Sequence, residues 1–209
     1  MMIKKILSTV LIIGLFIGLI SCGQKDEQTS SNSLNVASNE DIDINDNEAA
    51  EPVAAGEIVL CFSGTGNTKA IGETIAEIKG IELVEIVPKK AYTEDDLNWH
   101  DDNSRTSIEQ NDKDARPEIG SELPDMSGIT TVYLGFPIWW GEEPRIIDTL
   151  LETIDLTNRN VVLFCTSGSS GIEKAESNIK EKIGEEKVLL AMRFSAGATK
   201  EEIEEWLLH

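Results

Sequence analysis

The chain has 209 residues, of which 38 are Asp or Glu and 18 are Lys or Arg, so its formal net charge is −20 at pH 7. That balance excludes nucleic acid as a partner and excludes electrostatic docking to anionic lipid. With two histidines, one of them the C-terminal His209, no Ser-His-Asp or Cys-His arrangement can be built, and His100 beside Asp101 and Asp102 is too little for a zinc or iron site.

Residues 1–22 read as a targeting segment. Lys4 and Lys5 precede the uncharged run Ile6 to Ile20, which suits a signal h-region, since a spanning helix needs about 20 apolar residues. Leu19-Ile20-Ser21-Cys22 resembles a bacterial lipobox. That resemblance implies cleavage before Cys22, acylation of its thiol and a protein anchored to the cell membrane on the exported side; more than one acyl chain makes such an anchor durable. Residues 23–55 are rich in Ser, Asn, Asp, Glu and Gln, with eight carboxylates against Lys25. This composition predicts a disordered acidic linker, with a reach of roughly 30 Å as a flexible coil and more when self-repulsion extends it.

From Gly56 to His209 the pattern predicts one α/β domain. Ile58 to Phe62 is an unbroken apolar run, the mark of a strand covered on both faces. A helix over Thr68 to Lys79 follows and Gly80 stops it. Ile81 to Ile86 alternates and reads as an edge strand. Ile129 to Phe136, Asn160 to Cys165 and Val188 to Phe194 supply three further strands, with helices expected over Glu143 to Thr153, Ile172 to Ile183 and Lys200 to Leu208. Five strands with intervening helices predict a right-handed, doubly wound parallel sheet. Cys61 and Cys165, on the first and fourth strands, are expected as buried thiols beyond disulfide reach.

Three loops follow strand C-terminal ends, where ligands bind in such sheets. The first, Ser63-Gly64-Thr65-Gly66-Asn67-Thr68, leads into a helix N-terminus, with glycines that admit close approach and hydroxyls that add donors, which suits a phosphate. It is not a Walker A loop, because Lys69 is followed by Ala70, nor a dinucleotide fingerprint, whose third glycine is replaced by Lys69. The second, Pro137-Ile138-Trp139-Trp140-Gly141, offers paired indoles to a planar ring, one of them expected to pack instead against a neighbouring helix. The third, Thr166-Ser167-Gly168-Ser169-Ser170-Gly171, is a turn of donors suited to a pyrimidine edge.

These three motifs together resemble the flavodoxin-like family, of the short-chain type, over nearly all of Gly56 to His209. The resemblance implies strand order 2-1-3-4-5, noncovalently bound flavin mononucleotide (FMN) and electron transfer to a redox partner protein or a small acceptor. The implied cofactor-binding residues are Ser63, Gly64, Thr65, Gly66, Asn67 and Thr68 at the phosphate, with Pro137, Ile138, Trp139, Trp140, Gly141, Thr166, Ser167 and Gly168 around the ring. Glu142 and Glu143 are expected to lower the potential of the bound flavin by repelling its reduced, anionic form. The departure is Pro88 to Pro124, 37 residues where a compact helix is usual; a helix is expected near Ser104 to Lys113, and part of the segment is expected to cover the flavin. A non-redox module that uses the same pocket for another phosphate ligand is the alternative. A receiver-type signalling domain is disfavoured, since the first strand ends in Ser63 and Thr65 where that class needs an acidic, metal-holding cluster.

Overall fold

In a computed structural model, which describes residues 56–209, five strands form one parallel sheet. The signal segment, Cys22 and the acidic linker lie outside the described residues. The strands are β1 (Gly56–Cys61), β2 (Glu82–Glu85), β3 (Ile129–Pro137), β4 (Asn160–Thr166) and β5 (Val188–Phe194), and they run in the order β2-β1-β3-β4-β5. The helices are α1 (Asn67–Lys79), α2 (Arg105–Asn111), α3 (Arg145–Thr153), α4 (Glu173–Ile183) and α5 (Lys200–Leu207). This is the predicted doubly wound α/β fold, with strand ends within two residues of the expected ones. No helix among the described residues is long and apolar enough to cross a membrane.

Alternation along buried strands divides the interior into two cores. Ile58 and Leu60 of β1 face one side, with Ile146, Ile147 and Leu150 of α3 and Ala175 and Ile179 of α4. Val59 and Cys61 face the other, with Ile71 and Ile75 of α1 and Ile203 and Trp206 of α5. Cys61 and Cys165 therefore sit in opposite cores as free thiols. Burial pushes both up to about 12, which leaves them protonated and inert.

The 88–124 segment is an excursion that closes on itself at its base. Pro88 bridges Ile119, the Lys89 N–H donates to Glu118 O at 2.8 Å, and the Gly120 N–H donates to Val87 O at 2.7 Å. Within it, Ser104 caps α2 by accepting from the Ser107 N–H, so the predicted short helix forms where its capping residue allows.

Gly135 on β3 lies opposite Phe164 on β4 and, lacking a side chain, leaves room for that ring. A Cβ on Gly135 would lie 2.1 Å from the Phe164 ring, which is fully buried. Gly135→Ala is therefore expected to lower unfolding free energy by about 1–3 kcal/mol through overpacking, read as a lower urea midpoint, with Phe164→Leu in the same chain recovering part of the loss.

Candidate functional site

The loops after β1, β3 and β4 converge at the C-terminal end of the sheet, beside the switch point between β1 and β3. In the first, Gly66 is the N-cap of α1 at φ 89°, a left-handed conformation that favours glycine, and no side chain caps the helix. The Gly66 N–H donates to Ser63 Oγ at 3.0 Å and the Ala70 N–H to Gly66 O at 3.0 Å. Among the described residues no acceptor engages the backbone N–H groups of Asn67, Thr68 and Lys69. They are orphan donors at the positive end of the helix dipole, a ready cradle for an anion.

The side chains of this turn have divided roles. Thr65 is exposed, and its Oγ1 accepts from Asn67 Nδ2 at 3.2 Å. Thr68 shares a buried 2.7 Å hydrogen bond with Thr166 Oγ1 at the end of β4. Its hydroxyl joins two of the three loops. Lys69 turns away and pairs with Glu85 on β2 at 2.6 Å.

Gly64 joins the turn to an adjoining cleft, since a Cβ there would stand 3.3 Å from both Leu97 and Trp139. That cleft, about 430 Å³, is lined by Ile138, Trp139 and Trp140 after β3, by Ser167–Ser170 after β4, and by Leu97, Trp99 and Thr106 of the excursion. Trp139 meets Phe62 and Tyr92 edge-on at centroid distances of 5.5 and 5.4 Å. It packs against Phe62, just after β1, against Tyr92 of the excursion, and on the core that α3 and α4 share with the sheet. Trp140 is 47% exposed and Trp99, against which the His100 ring lies, 66% exposed, so the exposed aromatic surface of the cleft comes from different loops. The sequence led to the expectation that part of the excursion covers the site but did not single out Leu97, Trp99 and Thr106 as its wall; the available signal was a tryptophan in a strongly hydrophilic stretch.

Trp139 to Glu142 is a tight turn closed by reciprocal backbone hydrogen bonds of 3.0 Å. Trp140 at φ 50° and Gly141 at φ 85° give it the positive-φ pair of a type I′ turn. Such a backbone costs a non-glycine residue on the order of 1 kcal/mol, so its surroundings must enforce it. Pro137 ends β3, and the Ile138 N–H donates to Thr166 O at 3.0 Å. In the third loop Ser167 Oγ accepts from the Ser169 N–H at 3.2 Å, while Ser167 O accepts from Arg193 at 3.0 Å. Gly168 has open space around it.

The two glutamates after the turn do not face the cleft. Glu143 is fully buried, and its carboxylate accepts from Asn178 at 3.0 Å and Lys182 at 2.9 Å. Glu142 accepts from Arg145 at 2.8 Å and pairs with Lys174. Asp148 pairs with Lys182 and, at 3.4 Å, with Arg145. Each carboxylate thus has a cation in contact, which overturns the expectation that Glu142 and Glu143 repel a reduced ring: their fields are cancelled at short range.

Burial pushes the Glu143 carboxyl up, ahead of the lowering by Lys182, and burial pulls Lys182 down, where hydrogen bonds to Asp148 and Glu143 outweigh it and raise it. The ammonium stays charged because two carboxylates hold it. For Glu142, burial raises the pKa, but the hydrogen bonds from Lys174 and Arg145 outweigh that and hold it below the ordinary carboxylate range.

The family model for flavodoxin matches residues 57–209. A protein of Bacteroides uniformis assigned as a flavoprotein is 36% identical, covering 74% of this chain and 99% of its own, with a TM-score of 0.69. A second, from Bacteroides eggerthii, is 33% identical over 74% of this chain and 96% of its own, with a TM-score of 0.67. The flavoprotein of Lactobacillus acidophilus, whose structure is a complex with FMN, is 26% identical over 74% and 99%, with a TM-score of 0.55. No curated protein matches. An uncapped anion turn beside an aromatic cleft at the β1/β3 switch point defines a ligand-binding doubly wound domain. The chain belongs to the flavodoxin family and has its flavoprotein fold.

Two outcomes follow from this geometry. Thr68→Ala leaves the Thr166 hydroxyl buried without its partner and is expected to cost about 1–3 kcal/mol of stability, measured by urea unfolding, with Thr68→Ser retaining most of it. Because the folded pKa of Glu142 lies below its unfolded value, the stability it contributes is full above the ordinary carboxylate range and disappears as pH falls through the folded value. The melting-temperature gap between wild type and Glu142→Gln is thus expected at neutral pH and should close in acid.

Proposed function

We propose that this protein is a membrane-tethered redox protein that binds FMN and passes electrons to a redox partner protein or a small acceptor. The observation that carries the reading is the set of unengaged N–H groups at the uncapped start of α1, contiguous through Gly64 with the aromatic cleft. A terminal phosphate fits the first and a planar ring the second. The FMN complex of the Lactobacillus acidophilus protein supports this choice of cofactor.

When bound, FMN supplies the electron chemistry. The residues of this chain bind and orient it: backbone N–H groups of Asn67, Thr68 and Lys69 with the hydroxyls of Ser63 and Thr65 at the phosphate, and Trp140 with Trp99 along the ring. Thr166, Ser167 and Gly168 lie where they can hydrogen-bond the ring's polar edge. Leu97 and Ile138 narrow the cleft and exclude water from it. The acylated Cys22 and the acidic linker would hold the domain near a membrane while letting it turn toward partners.

Titration of the full chain, freed of flavin, with FMN is expected to quench both flavin and tryptophan fluorescence; unchanged emission at saturating FMN would overturn the cofactor reading. Thr65→Ala should weaken binding by about 1–3 kcal/mol without moving the melting temperature, whereas Lys69→Ala should leave affinity unchanged. For the tether, detergent should be required to extract the wild type from cells, and Cys22→Ser should yield an unprocessed precursor or a soluble form. Recovery of unacylated wild type in the cytosol would remove the anchor from the proposal.

A further inference from the structure

An ionic cluster lies behind the Trp139–Glu142 turn. It joins three elements: Glu142, Glu143, Arg145 and Asp148 around the start of α3, Lys174, Asn178 and Lys182 on α4, and Gln110 on α2 of the excursion. Gln110 contributes at both ends of its residue, its Nε2 donating to Glu143 O and its backbone O accepting from Arg145, each at 3.0 Å. Lys174, Asn178 and Lys182 recur every four residues and so share one face of α4. Asp148, Glu143 and Arg145 are almost entirely excluded from solvent.

Buried ion pairs contribute little net stability, because desolvation offsets their attraction, and apolar replacements often serve as well. What such a cluster supplies is a fixed geometry. Here it fixes the residues immediately after Trp140 and Gly141, whose positive-φ backbone needs outside support. Each partner element also carries, or directly follows, another wall of the cleft: α2 lies in the excursion that supplies Leu97, Trp99 and Thr106, and α4 follows the Ser167–Ser170 loop.

We infer that Lys182 on α4, with its partner Glu143, is a positioning residue that sets the Trp140 wall of the cleft from behind, without touching the ligand. The inference rests on the reading of the cleft as a flavin site, and it predicts a selective defect. The phosphate turn after β1 is built from other residues, so disturbing Lys182 should impair ring binding and leave anion binding intact.

The test uses the full chain carrying Lys182→Met with Glu143→Gln, which removes one charge of each sign and leaves no new unpaired charge in the cluster. FMN affinity is expected to fall at least tenfold while affinity for inorganic phosphate stays within twofold; Lys182→Arg should restore FMN affinity. Equal losses for both ligands, or wild-type FMN affinity in the double variant, would overturn the inference. A second readout needs no flavin. With 5-fluorotryptophan incorporated, the Trp140 fluorine resonance, assigned by Trp140→Phe, should be single in wild type and broadened or split in the double variant. An unchanged resonance overturns the inference as well. Failure of wild type to bind FMN would instead overturn the cofactor reading, and the fluorine result would still decide whether Lys182 positions Trp140.

Discussion

The site depends on one buried contact, the 2.7 Å hydrogen bond between Thr68 and Thr166. A helix usually fixes its own start with a capping side chain, and α1 has none. Its first turn is located instead by this tertiary bond to the end of β4, across the intervening β3. The substitution has a chemical result. Because the anchor is a side-chain hydroxyl reaching outward, the first backbone N–H groups of α1 are left unengaged and point into the turn, where a self-capped helix would have consumed one or two of them.

Much of the fold is legible from local pattern. Buried parallel strands such as Ile58 to Phe62 and Val161 to Cys165 announce themselves as unbroken apolar runs, and the loops that follow them are then placed at one end of the sheet by topology alone. The tertiary role of Thr68 was hidden for a related reason: in the hexapeptide it looks like any other hydroxyl, and nothing local says that Thr166, 98 positions later, will bond it. The Glu142-Glu143 pair failed similarly. Two adjacent carboxylates beside the indole pair read as charges acting on the ring, whereas Glu142 meets Arg145 three residues on and Lys174 on α4, and Glu143 meets Lys182, also on α4 and more than thirty residues away. The four-residue spacing of Lys174, Asn178 and Lys182 was visible, but spacing identifies a helix face and not what that face meets.

The excursion between Pro88 and Pro124 was recognised as a departure and its short helix placed by Ser104, yet its role as a cleft wall came from contacts no period encodes. Tyr92 is an example. Its ring meets Phe62 and Trp139, its hydroxyl donates to Glu109 at 2.5 Å, and Arg105 lies 4.1 Å over its face. One residue thus binds the excursion to the sheet, to α2 and to the residue before Trp140. Aromatic contacts of this kind hold a hydrophilic segment in place with few apolar side chains of its own.

The closed base of that excursion has a consequence for its length. Since the chain leaves and returns at neighbouring points, Lys89 opposite Glu118 and Val87 opposite Gly120, the strand spacing does not fix how many residues lie between them, and lengthening the segment would add only a slowly growing entropic cost. The turn after β1 and the sheet can keep their geometry while the Leu97-to-Thr106 stretch changes length, so one wall of the cleft is set by a segment whose span the strands do not dictate.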